Sequence, residues 1–361
     1  MEVMRDGTGR FPDRISARHI PPEQGVQGDE PPIVDVGGSP VKIAASGFAS
    51  KEQLQRTALL LANGNVYFAF AGQGDHPPYN GWIFGYSTGG LQQVAALNDT
   101  AGGSAGGIWM SGQGLAADNG GDIYFSSGNG DWNGTTQFSN SWVKLSPALK
   151  VMDWFTPFNE AFLSSPADID LGSGGVLLVP NQSGTFPHEM IGCGKFPTIY
   201  VVNRDNMGHK NSGSSDSQII QAITNAPVGN TGYVSDHCFM TPAYSQQNLY
   251  FIGNNDVIKA FHLDPATGKM TTTPTSHGSF VFDFPGAQAV VSSNGSSNAI
   301  VWAVDNNNNN SAALHAYDAS NVAREIYRSS TLGGLAKWVV PTIINGKVYV
   351  AVQGKLAVFG L

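Results

Sequence analysis

A repeated unit constrains this chain more than any other feature. From residue 40 onward the same order returns: a strand, a turn, a strong apolar strand, a strand ending in an aromatic, a short polar turn and an outer strand. The plainest copies are WIFGYSTGGLQQVAAL (82–97), SWVKLSPALKVMDWF (141–155), VIKAFHLDPATGKMTTT (257–273) and LHAYDASNVAREIY (314–327). IYVVNRDNMGHKN (199–211) is a fifth with a longer turn. The copies recur about every 55–60 residues, the period of propeller blades carrying insertions. No stretch sustains the i, i+3, i+4, i+7 apolar order of an amphipathic helix. A lone four-stranded unit leaves both apolar faces in water, so such units must pack face to face around an axis. The expected fold is all-β, a β-propeller of four-stranded blades with about six of them in this chain.

The last unit, WVVPTIINGKVYVAVQGKLAVFGL (338–361), stops one outer strand short. PVKIAASGF (40–48), just ahead of the first full inner strand TALLLAN (57–63), is expected to close the ring by pairing with that last blade. Residues 1–39 are rich in Pro, Gly and charge and lack an apolar h-region. They read as an extended or poorly ordered segment rather than a signal peptide, leaving 40–361 as the propeller domain.

Composition agrees with a β-rich globular chain. Charged residues are 13% while glycine is 45 of 361, so Ser, Thr, Asn, Gln and turns must cover the surface. Aromatic content of 10% is too high for a disordered chain. A net charge of −8 argues against a nucleic-acid partner, which needs a basic stripe. No run of 18 apolar residues spans a membrane. Cys193 and Cys238 could pair only if the fold brought their Cα atoms within about 7 Å, and two buried thiols are the simpler expectation.

Four stretches carry residue types with chemical potential. In GGSAGGIWMSGQGLAADNGGDIYFSSGNGDWN (102–133), two strands, 108–117 and 122–126, are expected around a turn at 118–121. Its glycines, Gly107 among them, remove side chains where the backbone approaches another strand or a flat ligand. Trp109 there is either the floor under a planar ring or a blade-to-blade aromatic. Asn129 offers an amide oxygen to a hard cation such as Ca²⁺, or holds a turn. GQGDHPPYNGW (72–82) places Asp75 and His76 in a stiff loop, at a metal or cofactor or simply as turn and surface residues. In FTPFNEAFLSSPADIDLGSGGVLLVP (155–180), Asp168 and Asp170 point the same way on an extended segment. One of them, held in a desolvated pocket, is fit to be a general base toward an alcohol; both also suit a polar strand cap. In GCGKFPTIYVVNRDNMG (192–208), Lys195 could polarise a carbonyl or pair with the aspartate, or be a solvated surface lysine. The histidines show no zinc-ligand spacing, and nucleophile-elbow, Rossmann and P-loop patterns are missing.

Taken in order, these stretches resemble the quinoprotein alcohol dehydrogenases, eight-bladed propellers that hold pyrroloquinoline quinone (PQQ) with Ca²⁺ on the axis. The resemblance runs over about residues 55–361. It implies that Trp109, with Gly107 beside it, is the stacking floor, and that Asn129 is a calcium ligand. By its similarity to the family's D-x-W-D segment, SSPADIDLGSGG gives Asp170 the catalytic aspartate's role and a place at the calcium. GKFPTIYVVNRDNMG is similar to the family's K/R-N-G-x-x-Y-V-L-D-R run, which puts Lys195 at a quinone carbonyl. GQGDHPPYNGW resembles the loop bearing a calcium-binding glutamate and puts Asp75 or His76 there. PTIINGKVYVAVQG matches the closing blade.

The implied function is a PQQ-dependent oxidoreductase of a small alcohol or carbohydrate hydroxyl, periplasmic or secreted. The alternative is a non-catalytic extracellular propeller, a binding or scaffold module. A polysaccharide lyase would draw on Arg56, His76 and His237.

Overall fold

The computed structural model describes residues 38–360 except 167, 230–236, 306–311 and 335–336, together with the backbone of four short strands nearer the amino terminus. Six antiparallel sheets succeed one another along the chain as the six blades of a β-propeller. In blade 1, Gln53–Gln55 and Leu60–Ala62 both pair with Asn65–Gly72, followed by Trp82–Ser87 and Gln93–Asn98. Blade 2 runs Ala116–Ala117, Ile123–Ser126, Trp142–Leu145 and Val151–Thr156; blade 3 runs Val176–Leu178, Glu189–Cys193, Thr198–Asn203 and Gln221–Thr224. Blade 4 is Ala243–Ser245, Asn248–Phe251, Asp256–Asp264 and Ser276–Phe282; blade 5 is Val290–Asn294, Ser297–Val304, Leu314–Asp318 and Glu325–Arg328. Blade 6 has three strands, Thr342–Ile344, Lys347–Val352 and Lys355–Phe359.

The strand sequences follow from where each strand stands. A mid-blade strand is covered on both faces, so it needs a continuous apolar run, and Val66 to Gly72 are all buried. An outer strand such as Gln93–Asn98 is exposed or half-buried along its whole length. Asn63 and Gly64, both left-handed (φ 54° and 70°), make the tight hairpin between two blade 1 strands.

Successive blades bury shared apolar clusters. Tyr67, Ile83, Phe125, Trp142 and Tyr200 join blades 1 to 3. Ile191, Val201, Phe251 and Phe261 join blades 3 and 4, Phe282, Val301 and Tyr317 blades 4 and 5, and Leu314, Val348 and Val350 blades 5 and 6. Each such side chain is worth roughly 1.5–3 kcal/mol when fully buried, so the shared clusters are a main source of cohesion between successive blades. The first strands of neighbouring blades touch one another, as Ala116–Ala117 does with Val176–Leu178, and this brings the segments that lead into them to the axis.

Three expectations need correction. Residues 40–48 do not pair with the last blade: Val41–Lys42 pair with Arg14–Ser16. Phe48 instead packs edge-on against Phe70, Trp82 and Phe84 of blade 1 at 4.9–5.6 Å. The aromatic outer face of blade 1 offers this segment more apolar contact than a strand edge does. Most of the amino-terminal segment 1–39 lies outside the described residues; where its backbone is described it forms short strand pairs, including Arg18–His19 with Val34–Asp35. Second, 108–117 is not one strand. The chain bends through Met110, Ser111 and Gly112, all at positive φ, and only Ala116–Ala117 is extended. Third, Cys193 and Cys238 are joined in a disulfide with Cα atoms 5.9 Å apart.

Candidate functional site

The cavity at the axis is built by a recurring piece of the repeat, the few residues that enter each blade's first strand. Leu54 and Arg56 precede Leu60–Ala62, Trp109 and Ser111 precede Ala116–Ala117, and Asp170 and Ser173 precede Val176–Leu178. Phe239 stands before Ala243–Ser245 and Trp338 before Thr342–Ile344. Together with Gly74, Asp75, Asn129, Asp168 and Lys195 they line one space of about 250 Å³. Beneath it Gln288 is buried and satisfied: its amide donates to the carbonyls of Ser111 and Phe239 and accepts from Gln113 and the Thr241 N–H. One side chain thus ties blades 2, 4 and 5 at the axis.

Trp109 is positioned by glycine. A Cβ at Gly107 or Gly128 would stand 2.8–2.9 Å from the indole, so any larger residue at either position would push the ring into the cavity. Gly107 therefore backs the tryptophan and does not itself line the cavity. Gly112, at φ 83°, lets the backbone of Trp338 cross close by; a Cβ there would meet the Trp338 carbonyl at 2.6 Å. Tyr79 meets Trp109 edge-on at 6.3 Å. Asp75, Ser111, Asp168 and Trp338 all hold left-handed backbone at the cavity wall, a cost of order 1–3 kcal/mol each that the surrounding packing sustains.

The charged centre is Lys195 between two aspartates. Its ammonium stands 2.7 Å from Asp168 Oδ1 and 2.7 Å from Asp170 Oδ1. The main chain fixes the pairing, because the Lys195 N–H donates to the Asp170 carbonyl at 3.0 Å and the Cys238 N–H donates to Gly194 at 3.1 Å. The disulfide clamps that same junction. Asp170 is 2% exposed, and its Oδ2 is buried without a hydrogen-bond partner among the described residues. Burial lifts its carboxyl above the ordinary carboxylate value, and the Lys195 charge opposes the lift. For Lys195 burial works against the charge, but Asp170 and Asp168 outweigh it and hold the ammonium above the ordinary lysine value.

The remaining oxygen donors surround this pair. Asp75 Oδ1 accepts from the Tyr79 hydroxyl at 2.5 Å, and burial followed by that bond drives the phenol's pKa up. The Asn129 carbonyl accepts from the Gly106 N–H, while its side-chain amide lies at the cavity with no hydrogen bond among the described residues. Among the described residues no three His, Cys, Asp or Glu side chains stand together as a metal-holding group.

The structure thus brings Trp109, Asn129, Asp75, Asp170 and Lys195 to one cavity, and leaves His76 exposed and outside its lining. Ser111, Ser173, Phe239 and Trp338 join them without having been assigned to such a site from sequence, and so does Arg56, which the sequence offers only to the lyase alternative. The signal that could have found them is topological: each lies three to five residues ahead of Leu60–Ala62, Ala116–Ala117, Val176–Leu178, Ala243–Ser245 or Thr342–Ile344.

The chain matches no protein-family model and no curated protein sequence. By structure it is similar to quinohemoprotein alcohol dehydrogenase ADHIIG of Pseudomonas putida HK5 (12% identity over 86% of this chain and 57% of that one, TM-score 0.54). It is similar as well to the quinohemoprotein alcohol dehydrogenase of Comamonas testosteroni (15%, 84% and 57%, TM-score 0.52) and to Sqt1 of Saccharomyces cerevisiae (12%, 91% and 75%, TM-score 0.51). The chain spans little more than half the length of the two dehydrogenases. At these identities the likeness defines the fold, a β-propeller, and nothing finer. No helix of the described residues is long and apolar enough to cross a membrane.

Proposed function

We propose that this propeller is an oxidoreductase of small alcohol or sugar hydroxyls that works with pyrroloquinoline quinone and Ca²⁺. The observation that carries the reading is the buried Asp170–Lys195 pair facing the same cavity as Trp109 and Asn129. The donor set fits the cofactors. Trp109 presents a flat apolar face, Lys195 a fixed cation, and the Asn129 amide and the unpartnered Asp170 Oδ2 two oxygens suited to a hard cation. A Ca²⁺ bound there would be held by the Asn129 amide and the Asp170 carboxylate and would supply positive charge beside the ligand.

When bound, the quinone supplies two-electron acceptance, chemistry that no side chain has. This chain's residues do the rest. Asp170 takes the hydroxyl proton: it is buried, close to the ligand space and raised by desolvation, so it is a stronger base than a surface carboxylate. Lys195 keeps Asp170 oriented and places positive charge where carbonyl oxygen gains electron density. Trp109 and Phe239, which line the same cavity, help exclude water from it, and the Lys195 ammonium stands 6.0 Å from the Phe239 ring. The disulfide suits a secreted or periplasmic setting, where such bonds persist. The lyase alternative finds only Arg56 of its three residues in the cavity lining.

The test is reconstitution of purified protein with PQQ and Ca²⁺, with dye reduction measured on simple alcohols and aldoses. Turnover supports the reading. Quinone binding without turnover leaves a propeller that binds and does not catalyse.

A further inference from the structure

The cavity contains a cation that the reaction just described does not use. Arg56 lines it, and its guanidinium carbon lies 4.4 Å from the Trp338 ring centre and 5.5 Å from that of Trp109. Two indoles hold a guanidinium well, since its flat cation stacks on aromatic faces. They offer it no anion. Among the described residues Arg56 makes no ion pair and no hydrogen bond, and the nearby carboxylates are otherwise engaged. Lys195 holds Asp168 and Asp170, and Tyr79 donates to Asp75. Burial lowers the Arg56 pKa from the ordinary arginine value with no carboxylate opposing it. The cavity therefore holds two charged features among its aromatic side chains: the aspartates around Lys195, and a stacked guanidinium with its N–H donors unspent. An arginine fork of this kind matches a carboxylate with two parallel hydrogen bonds.

Building on the oxidoreductase reading, we propose that Arg56 is the substrate's carboxylate receptor, so that the alcohol taken here is a hydroxy acid, anchored by its carboxylate at Arg56 with its hydroxyl toward Asp170. Arg56 sets specificity and takes no part in proton transfer. A neutral alcohol of the same size leaves the guanidinium unpaired, and the resulting preference should be about 10- to 100-fold.

The test is equilibrium binding to the full chain without quinone, read by tryptophan fluorescence and calorimetry, with gluconate and glycolate as anionic probes and glucose and ethylene glycol as neutral ones. The wild-type protein should bind gluconate at least about tenfold more tightly than glucose. Arg56→Gln should erase that preference while leaving glucose within about twofold, and Arg56→Lys should retain part of it. PQQ affinity is measured on the same three proteins. Equal binding of gluconate and glucose by the wild type, binding of neither, or a loss confined to PQQ affinity in Arg56→Gln would each overturn the proposal. Should Arg56→Gln fail to fold, the wild-type preference and Arg56→Lys decide. Gluconate selectivity with no PQQ binding would sink the oxidoreductase reading and leave the Arg56 assignment standing as a carboxylate site.

Discussion

Asp99 and Asp170 are both buried aspartates, yet their surroundings differ in kind. Asp99, at the end of blade 1, is 1% exposed, and burial raises its pKa to about 8. No cation pairs with it among the described residues, and it lines no part of the axial cavity. Asp170 is buried to the same degree but has Lys195 at 2.7 Å and open ligand space beside it. Desolvation alone makes a carboxyl hold its proton. A lysine and a cavity are what turn a buried carboxyl into a base that can act.

The sharpest way to break this contrast is to neutralise each aspartate in turn. Asp170→Asn should lower turnover by about 10²- to 10⁴-fold, with PQQ affinity kept within a few-fold. In the wild type, turnover should rise with pH along an acid limb above the ordinary carboxylate range of about 4, because Asp170 must be ionised to accept a proton. Asp99→Asn should leave turnover alone and alter stability instead. The folded protein binds the Asp99 proton up to about pH 8, whereas the unfolded chain releases it near the ordinary value of about 4. The stability this provides is whole below about pH 4 and is lost as pH rises to about 8. The asparagine variant should lack that loss, so its unfolding free energy from urea denaturation should gain on the wild type between pH 5 and pH 8.5, by on the order of a few kcal/mol. A smaller effect is expected at the clamp beside the active pair. Replacing Cys193 and Cys238 by serine should cost about 2–4 kcal/mol and reduce turnover, because the disulfide fixes the junction that presents Lys195.

The repeat made the propeller legible, since period and strand order are properties of the chain and each blade is meaningless without the next. The aspartate, lysine, tryptophan and asparagine of the cavity were legible because each sits in a glycine- or proline-marked break. Trp338 was not, and Arg56 was legible only as a candidate of the lyase alternative. Each sits in an ordinary approach to a strand, and only the closeness of blades 1, 2 and 6 around Trp109 gives them a shared purpose. The disulfide was hidden for the same reason, because 45 residues separate its cysteines and the fold alone brings them together. The partner of residues 40–48 was misread because an apolar segment suits a strand edge and an aromatic face alike, and the choice rests on Phe48 meeting Phe70 and Phe84.

The most direct test of the whole account is a titration of PQQ, with Ca²⁺ present, into the wild-type protein and Trp109→Leu, followed by tryptophan fluorescence and quinone absorbance. Saturable quenching in the wild type, lost or weakened at least about tenfold in the variant, is the result expected if the quinone rests on that indole. Equal quenching in both proteins, or no saturable binding in either, would contradict it.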